Sequence, residues 1–304
     1  MSLITALCLA LILDAIFGEP RWLWDRVPHP AILTGRFIGW LDQRLNLGEK
    51  RREKGIITLI ILAFSAITLG WVLSAAGSAV TIVVAAIFLS HRSLINHVSD
   101  VASALRLSTG DGRMVVAKIV GRDTSDMDDP AIARAAIESA AENFSDGVIA
   151  PAFWFALFGL PGLMLYKFTN TADSMIGYRN EKYEDFGWAS ARFDDLLNLI
   201  PARLSALMIA VLHGHGRDMS KIASDASLHR SPNAGWPEAA MARVLDVALS
   251  GPRSYDGAMR DFPYVNDAGR REIGPDEIDA ACRVLWRTWG GGLALLILVA
   301  VVLG

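Results

Sequence analysis

Apolar residues along this chain are bunched into long blocks rather than dispersed at the period of a helix or a strand. One block, Ile56–Leu89, holds no charged residue across 34 positions, which is enough for two short helices with a turn near Ala75–Ser78. About 20 apolar residues are needed to cross a bilayer. The pattern therefore predicts an all-α, polytopic integral membrane protein with about five transmembrane or re-entrant helical segments, built from Leu3–Phe17, Ile56–Leu89, Val148–Phe168, Leu196–Leu212 and Gly290–Leu303.

Polar helical segments separate these blocks, and we expect all of them to form one integrated membrane domain over residues 1–304. The first polar segment is rich in Arg and Lys, so the positive-inside tendency predicts that it is cytoplasmic. The last should be mainly helical, with amphipathic stretches at Pro237–Leu249 and Pro275–Trp289, and should run into the C-terminal span. The polar segments lie at 18–54, 91–147, 169–195 and 213–285.

Composition, charge and cysteine content further narrow the class of protein to which the chain can belong. The chain is 52% hydrophobic, has a formal net charge of −3 and lacks a basic tract, which argues against nucleic acid as a partner. Cys8 and Cys282 give neither a disulfide framework nor metal-site spacing. No basic region precedes Leu3–Phe17, and Gly18-Glu19-Pro20 is a poor cleavage site, so we expect a retained span rather than a signal peptide.

The block Val148–Phe168 is interrupted by a strong helix breaker, Gly159-Leu160-Pro161-Gly162. Each half has near ten residues, too few to cross a bilayer alone. We therefore predict a re-entrant helical hairpin that returns Asn170 to the side of Asp146. Broken helices at membrane depth are tolerated where they line protein or a water-filled cavity. Composition alone equally permits a single kinked span.

Three carboxylates precede this block at helical spacing. Asp129, as N-cap, and Pro130 should open a helix. Glu138, Glu142 and Asp146 then lie at i, i+4 and i+8 on one face of that helix. Like charges repel at this spacing, and a hard cation such as Mg²⁺ would relieve the repulsion. The alternative is a solvated helix face.

Further carboxylates, amides and arginines flank the apolar blocks. Carboxylates on several helices beside arginines are typical of sites for Mg²⁺ and phosphate groups. Arg203 lies in the middle of an apolar block and should face a cavity or an anionic ligand. The flanking candidates are Arg122, Asn170, Asp173, Arg179, Arg192, Asp194 and Asp195.

Two proline-bracketed motifs remain. His29 lies between Pro28 and Pro30, and a lone histidine of this kind is more often structural than catalytic. Asn233 and Trp236 lie in a constrained loop that could hold a large flat ligand or cap a helix. The chain contains no Walker A, Rossmann, HExxH or GxSxG pattern. The residues alone thus indicate a membrane enzyme for phosphorylated substrates and a divalent cation.

Taken together, the polar motifs resemble those of the CobD/CbiB family, the adenosylcobinamide-phosphate synthases of cobalamin biosynthesis. Any one motif would be weak, but eight in this order are specific and cover almost the whole chain. They are DAIFGEP at 14–20, PHP at 28–30, GRDT at 121–124, ESAAENFSDG at 138–147, NTADSMIGY at 170–178, ARFDD at 191–195, PARLSA at 201–206 and SPNAGWPEAA at 231–240.

The resemblance implies a ligase of the bacterial cytoplasmic membrane, with its active site facing the cytoplasm. It would use ATP and Mg²⁺ to join aminopropanol, or its O-phosphate, to the propionate carboxylate of adenosylcobyric acid through an acyl phosphate. Its partners would be the lipid bilayer and other cobalamin-assembly enzymes, with no nucleic acid.

Residue roles follow as hypotheses. Glu138, Glu142, Asp146 and Asp173 would hold Mg²⁺ against the ATP phosphates. Arg122, Arg179 and Arg192 would neutralise phosphate charge, and Asp194 or Asp195 would accept the amine proton. Asn233 and Trp236 would face the corrin or the nucleotide, and the cofactor-binding set would also include Asn170 and His29.

Two other classes compete with the ligase. An intramembrane prenyltransferase would also hold Mg²⁺-diphosphate with helix-borne Asp and Asn residues, but it predicts paired aspartate-rich motifs on two long spans. A corrinoid or ion transporter predicts repeated halves and charges inside continuous spans. The chain shows no internal repeat, and its acidic residues precede their span.

Overall fold

Helices make up most of the computed structural model, which describes residues 1–255 and 258–303. The helices are α1 Leu3–Phe17, α2 Arg21–Trp24, α3 Pro30–Leu45, α4 Arg51–Ala75, α5 Ser78–Phe88, α6 His91–Leu107, α7 Thr109–Val116, α8 Asp129–Phe144, α9 Ala150–Ile176, α10 Trp188–Leu212, α11 Met219–Ala226, α12 Gly235–Leu245 and α13 Pro275–Leu303. A π-helical turn, Ser145–Ile149, joins α8 to α9, and a short 3₁₀ helix, Gly216–Asp218, precedes α11.

Five helical segments are long and apolar enough to cross a membrane, and α1 is a shorter apolar helix. The prediction of an all-α, multi-pass membrane protein is therefore confirmed. The five segments are Arg51–Ala75, Ser78–Leu107, Asp129–Ile176, Trp188–Leu212 and Pro275–Val302.

Contacts between residues divide the chain into two compact units. The first unit comprises Met1–Arg92, Asp146–Leu199 and Leu296–Gly304, and the second comprises Ser93–Ser145 and Ile200–Leu295. The single integrated domain stays a prediction.

In the first unit, the predicted turn within Ile56–Leu89 is confirmed, because α4 ends at Ala75 and α5 begins at Ser78. Gly77 between them has φ 105°, a conformation that favours glycine. α1 packs against α5. The carboxylate of Asp14 in α1 accepts a hydrogen bond of 2.9 Å from the backbone N–H of His91, where α6 begins. The buried Asp14 thus satisfies a donor at a helix start.

The predicted helical hairpin is also confirmed. The Tyr166 hydroxyl lies 3.1 Å from the backbone carbonyl oxygen of Asp146, whereas 20 residues of straight helix would separate these positions by about 30 Å. The reversal occurs at Gly159, whose φ of 66° and ψ of −151° fall in a region that essentially only glycine adopts. A Cβ on Gly162 would lie 2.5 Å from the carbonyl oxygen of Trp154, so the two legs touch through backbone. The kinked single span is therefore wrong.

The hairpin legs, 150–158 and 160–176, are held by neighbours on both sides. α4 packs along α9, and α3, α5 and α1 also contact it. The Trp154 indole donates a hydrogen bond of 3.2 Å to the carbonyl oxygen of Leu197 in α10. Ala150, Tyr166 and Leu197 form a buried cluster beside it.

In the second unit, α7, α12 and strand β1 pack around α8. The predicted N-cap of α8 is one residue too late, because the side chain of Asp128 accepts the 2.8 Å hydrogen bond from Ala131 N–H. Asp129 instead accepts a hydrogen bond of 2.6 Å from the Thr109 hydroxyl. Pro130 does occupy the first turn, as predicted.

The segment after α12 differs from the predicted helix. α12 ends at Leu245, because Asp246 adopts a left-handed conformation with φ 52°, and the predicted continuation to Leu249 is wrong. Four short strands follow: β1 Leu249–Ser250, β2 Arg253–Tyr255, β3 Ala258–Arg260 and β4 Tyr264–Val265. β1 pairs antiparallel with β4, and β2 pairs antiparallel with β3. α13 then runs unbroken from Pro275 into the C-terminal apolar block, as predicted.

Candidate active site

Glu138 on α8 is the centre of a buried ion-pair cluster in the second unit. Its Oε2 lies 2.5 Å from Arg122 Nη2 and 3.2 Å from Arg253 Nη1. Its Oε1 accepts a hydrogen bond of 2.7 Å from the backbone N–H of Ser250. Glu138 is only 3% exposed, so its charge is balanced by protein groups and a solvated helix face is wrong for this residue. Both oxygens are engaged, which favours orienting the two arginines over the predicted metal role.

Local backbone geometry brings these partners to Glu138. Asp123, which follows Arg122, accepts a hydrogen bond of 3.0 Å from the Ser254 hydroxyl, and this holds the loop before α8 against β2. Ser250 has φ 63°, a left-handed conformation that costs about 1–2 kcal/mol for a residue other than glycine. Its N–H reaches the buried carboxylate in that conformation, so local strain accompanies the ion-pair geometry.

A second buried carboxylate, Glu238 on α12, belongs to the same unit. It is 2% exposed, and its Oε1 lies 3.7 Å from His229 Nε2. Burial, followed by the charges of Glu138 and Glu142, raises the pKa of Glu238 well above its ordinary value. Burial also lowers the pKa of His229. His229 Nδ1 accepts a hydrogen bond from Ser231 N–H, so the neutral ring carries its proton on Nε2, facing Glu238.

The first unit contains a different polar cluster, centred on Asp194 near the start of α10. Its Oδ1 accepts a hydrogen bond of 3.3 Å from the Asn170 amide, and its Oδ2 accepts one of 2.9 Å from the Asn198 amide. The side-chain oxygen of Asn198, Oδ1, accepts a hydrogen bond of 3.0 Å from the hydroxyl of Tyr166. Asp194, Asn198 and Tyr166 are all buried. The hairpin thus fixes Asp194 with neutral donors.

Other charges surround Asp194. Asp173, on the same leg as Asn170, interacts with it electrostatically, as does Asp195. Lys167 interacts with Asp194 and with Asp146, which is half-buried in the π-helical turn. These carboxylates and the lysine give the cluster four acids and one cation.

The arginines predicted near this cluster are more exposed. Arg192 Nη1 lies 3.6 Å from Asp195 Oδ2, with 58% of the arginine side chain exposed. Arg179 is exposed and interacts electrostatically with Asp195. The structure therefore brings together Asn170, Asp173, Arg179, Arg192, Asp194 and Asp195 around one carboxylate group.

The four predicted metal ligands divide between the units: Glu138 and Glu142 in the second, Asp146 and Asp173 in the first. Glu142 is exposed, one turn beyond the buried Glu138. Over residues 1–255 and 258–303, no three His, Cys, Asp or Glu side chains converge as a metal site. The metal set stays a prediction.

Asn233, just before α12, and Trp236, which lies in the first turn of α12 rather than in the predicted loop, are both beside Arg203 of α10. The Arg203 guanidinium lies 4.7 Å from the centroid of the Trp236 ring, and its Nη1 donates a hydrogen bond of 3.3 Å to Asn233 Oδ1. An arginine in an apolar helix is thus accommodated by an aromatic face and an amide oxygen. The proposed ligand contacts of this loop stay predictions.

His29 has a structural position in the first unit. Its Nδ1 accepts a hydrogen bond of 3.2 Å from Ala31 N–H, which caps α3, and its ring packs edge-to-face on Trp24 at 4.4 Å. Burial lowers the pKa of His29. These contacts agree with the structural interpretation, and its cofactor role stays a prediction.

Sequence reasoning missed several residues of the two clusters. Lys167 carried a signal, because it is the one charged residue of Val148–Phe168. Glu238 lies in the motif at 231–240 and is not among the predicted site residues. Arg253 and Ser250 had no sequence signal, since they reach Glu138 across more than 110 residues.

Comparison with known proteins places these motifs in a family. The family profile described as CobD/Cbib protein matches residues 7–285. A protein of Rhizobium meliloti (strain 1021) named "Cobalamin biosynthesis protein CobD" is 48% identical over 304 residues, covering 94% of this chain and 93% of that protein. Proteins of the same name from Brucella suis and Rhodobacter capsulatus are 44% and 43% identical, covering 97% and 88% of this chain and 96% and 88% of those proteins. No solved structure matches the chain. By its motifs, its membrane helices and these relatives, the chain belongs to the CobD/Cbib protein family.

Proposed function

We propose that this protein is a cobalamin-biosynthesis enzyme of the bacterial cytoplasmic membrane that works as an ATP-dependent amide ligase. It joins aminopropanol, or its O-phosphate, to the propionate carboxylate of adenosylcobyric acid, with its active site facing the cytoplasm. Family membership and the names of the relatives support the pathway. The product is adenosylcobinamide or its phosphate.

The observation that carries the proposal is the fixed, buried carboxylate Asp194 beside Asp173, Asp195 and Lys167. A carboxylate substrate is a poor acyl donor, so amide formation requires prior phosphorylation to an acyl phosphate. Phosphoryl transfer relies on positioned carboxylates and cations rather than on covalent chemistry by the protein. The Asp194 cluster holds both kinds of group on rigid helices.

The donor set fits Mg²⁺, which is usually bound by one or two carboxylates together with phosphate oxygens and water. Asp173 and Asp194, which interact electrostatically, would hold it in the first unit, and the bound ion would neutralise phosphate charge. Asn170 and Asn198 keep the Asp194 oxygens in a fixed orientation. Asp195 is more exposed than Asp194, and it would accept the amine proton as the amide forms.

The second unit would bind the charged part of a substrate. A cavity of about 210 Å³ is lined by Arg122, Arg134 and Arg253, together with Asp123, Asp126 and Asp128. Glu138 holds two of these arginines in place. Guanidinium groups that are already oriented bind phosphate with little further ordering.

The test is a ligation assay with purified, detergent-solubilised protein, adenosylcobyric acid, Mg²⁺, ATP and each amine. Mass spectrometry should detect an amide product that requires both ATP and Mg²⁺. The Asp185→Asn variant is a matched control, because Asp185 is exposed and its side chain makes no hydrogen bond or ion pair with the described residues. Folded protein that forms no amide with either amine would disprove the proposal.

A further inference from the structure

Lys167 is the one charged side chain of the apolar block Val148–Phe168. It lies on the second hairpin leg, next to Tyr166, whose hydroxyl reaches the backbone of Asp146. The hairpin therefore returns this lysine to the π-helical turn, where the first leg begins. A lysine within an apolar membrane helix is costly, and such residues commonly mark a functional site.

The ammonium group of Lys167 is near acids but bonded to none of them. It interacts electrostatically with Asp146, Asp194 and Glu19. Within residues 1–255 and 258–303, however, its side chain makes no hydrogen bond and no ion pair of 4.0 Å or less. The side chain is half-buried. Its neighbour Asp194, in contrast, is held in place, because it accepts hydrogen bonds from the side-chain amides of Asn170 and Asn198.

We propose that Lys167 binds a phosphate group of a substrate beside Asp194 and the π-helical turn that holds Asp146. A lysine that served only as a counter-charge would be expected to contact one of these acids directly. Phosphate oxygens offer this lysine the acceptors that the protein itself does not supply.

The surrounding charges define the ligand further. A bare phosphate would be repelled by Asp146, Asp173 and Asp194, so binding should require a divalent cation that these carboxylates attract. The ligand class is therefore a metal-bound phosphate, either the polyphosphate of a nucleotide or the phosphomonoester of an amino alcohol. This inference rests on the proposed function for its choice of substrates, but its measurement does not depend on amide formation.

The experiment measures equilibrium binding to full-length protein in detergent micelles by calorimetry, with and without Mg²⁺. The probes are a non-hydrolysable ATP analogue, aminopropanol O-phosphate and inorganic phosphate, each used alone. Lys167→Met keeps the side-chain length without the charge, and Lys167→Arg keeps the charge. Lys50→Met is the control, since 72% of the Lys50 side chain is exposed.

Lys167→Met should weaken Mg²⁺-dependent binding of at least one probe by about tenfold or more, the size expected for a charged hydrogen bond. Lys167→Arg should stay within about threefold of wild type, and Lys50→Met should equal it. Loss for the ATP analogue alone would assign the site to the nucleotide. Loss for aminopropanol O-phosphate alone would assign it to the amine substrate.

Wild-type protein gives a second measurement if Lys167→Met fails to fold. Amine-reactive labelling read by mass spectrometry should modify Lys167 more slowly when the bound probe and Mg²⁺ are present. Equal affinity of Lys167→Met for every probe, no binding by wild type, or unprotected Lys167 would each overturn the inference. Binding that depends on Lys167, in a protein that forms no amide, would instead leave this inference standing and remove the ligase proposal.

Discussion

The Glu138 cluster of the second unit and the Asp194 cluster of the first unit handle buried charge in opposite ways. Glu138 has three donors on its two oxygens, and two of them are cationic. Asp194 is held by neutral amides and interacts electrostatically with other carboxylates, while Lys167 forms no ion pair of 4.0 Å or less with any of them in the described residues. The Glu138 carboxylate is fully engaged by protein groups, whereas the Asp194 cluster has charges that a ligand and a cation would balance. Perturbing Glu138 should therefore affect folding, and perturbing Asp194 should affect activity.

Glu138→Gln should give the largest effect on stability. Removing one partner of a buried ion pair leaves Arg122 and Arg253 without a counter-charge, which costs about 3–5 kcal/mol. Thermal unfolding in detergent micelles, followed by tryptophan fluorescence, should show a fall in Tm on the order of 10 °C. Glu142→Gln, one turn away and exposed, should change the unfolding free energy by less than about 0.5 kcal/mol. Equal shifts in the two variants would contradict the comparison.

Asp194→Asn should affect activity much more than stability. Replacing the carboxylate by an amide of the same shape should reduce the ligation rate by about 100-fold or more. Tm should change by only a few °C, since the new NH₂ group loses one of the two hydrogen bonds that Asp194 accepts while a buried negative charge is removed. Ligation kinetics and thermal unfolding on the same preparation measure both quantities. Activity within threefold of wild type would remove Asp194 from the site.

Gly159→Ala tests whether the hairpin is what assembles the Asp194 cluster. A Cβ at φ 66° and ψ −151° should cost about 1–3 kcal/mol, and any shift of the second leg moves Asn170 and Tyr166 away from their partners. Tm and ligation should therefore fall together. Gly39→Ala is the matched control: it lies in α3 with open space around its Cβ position, so it should stabilise slightly. A fall of Tm with full activity in Gly159→Ala would separate the hairpin from the site.

The sequence predicted the parts of the fold that depend on local pattern. Blocks of apolar residues predicted α1, the turn between α4 and α5, and the hairpin, because glycine and proline have strong local effects on the backbone. The strands after α12 were missed, since each has only two or three residues and their pairing depends on tertiary contacts. The N-cap of α8 was misplaced by one residue because Asp128 and Asp129 are chemically equivalent in sequence.

The candidate site was predictable to the extent that its residues are close in sequence. Asn170, Asp173, Asp194 and Asp195 were all identified, and the structure joins them through α9 and α10. The metal role of Glu138 stays a prediction, but two of its partners, Ser250 and Arg253, were not predictable, since they come from the strand region 112 and 115 residues away. Spacing can place three acids on a helix face, but only tertiary structure shows which of them are neutralised by the protein.

The smallest expected effect concerns Glu238, which tests how complete the second unit's charge balance is. Its pKa lies well above the ordinary value of 4.5 because burial, then Glu138 and Glu142, disfavour the ionised form. Its contribution to stability is therefore full below pH 4.5 and is lost as pH rises through the folded-state pKa. Glu238→Gln stays neutral, so it should exceed wild type in stability at pH 8 by about 1 kcal/mol, with no difference near pH 4.5. The pKa of His229 is lowered from its ordinary value of 6.5. Its contribution to stability is therefore full above pH 6.5 and is lost as pH falls through the folded-state pKa. His229→Gln, which does not ionise, should gain stability relative to wild type as pH falls below 6.5. Thermal unfolding of both variants from pH 4.5 to 9 measures how the stability of each changes with pH. A stability difference between Glu238→Gln and wild type that is independent of pH would mean that protein groups already neutralise Glu238, as they do Glu138.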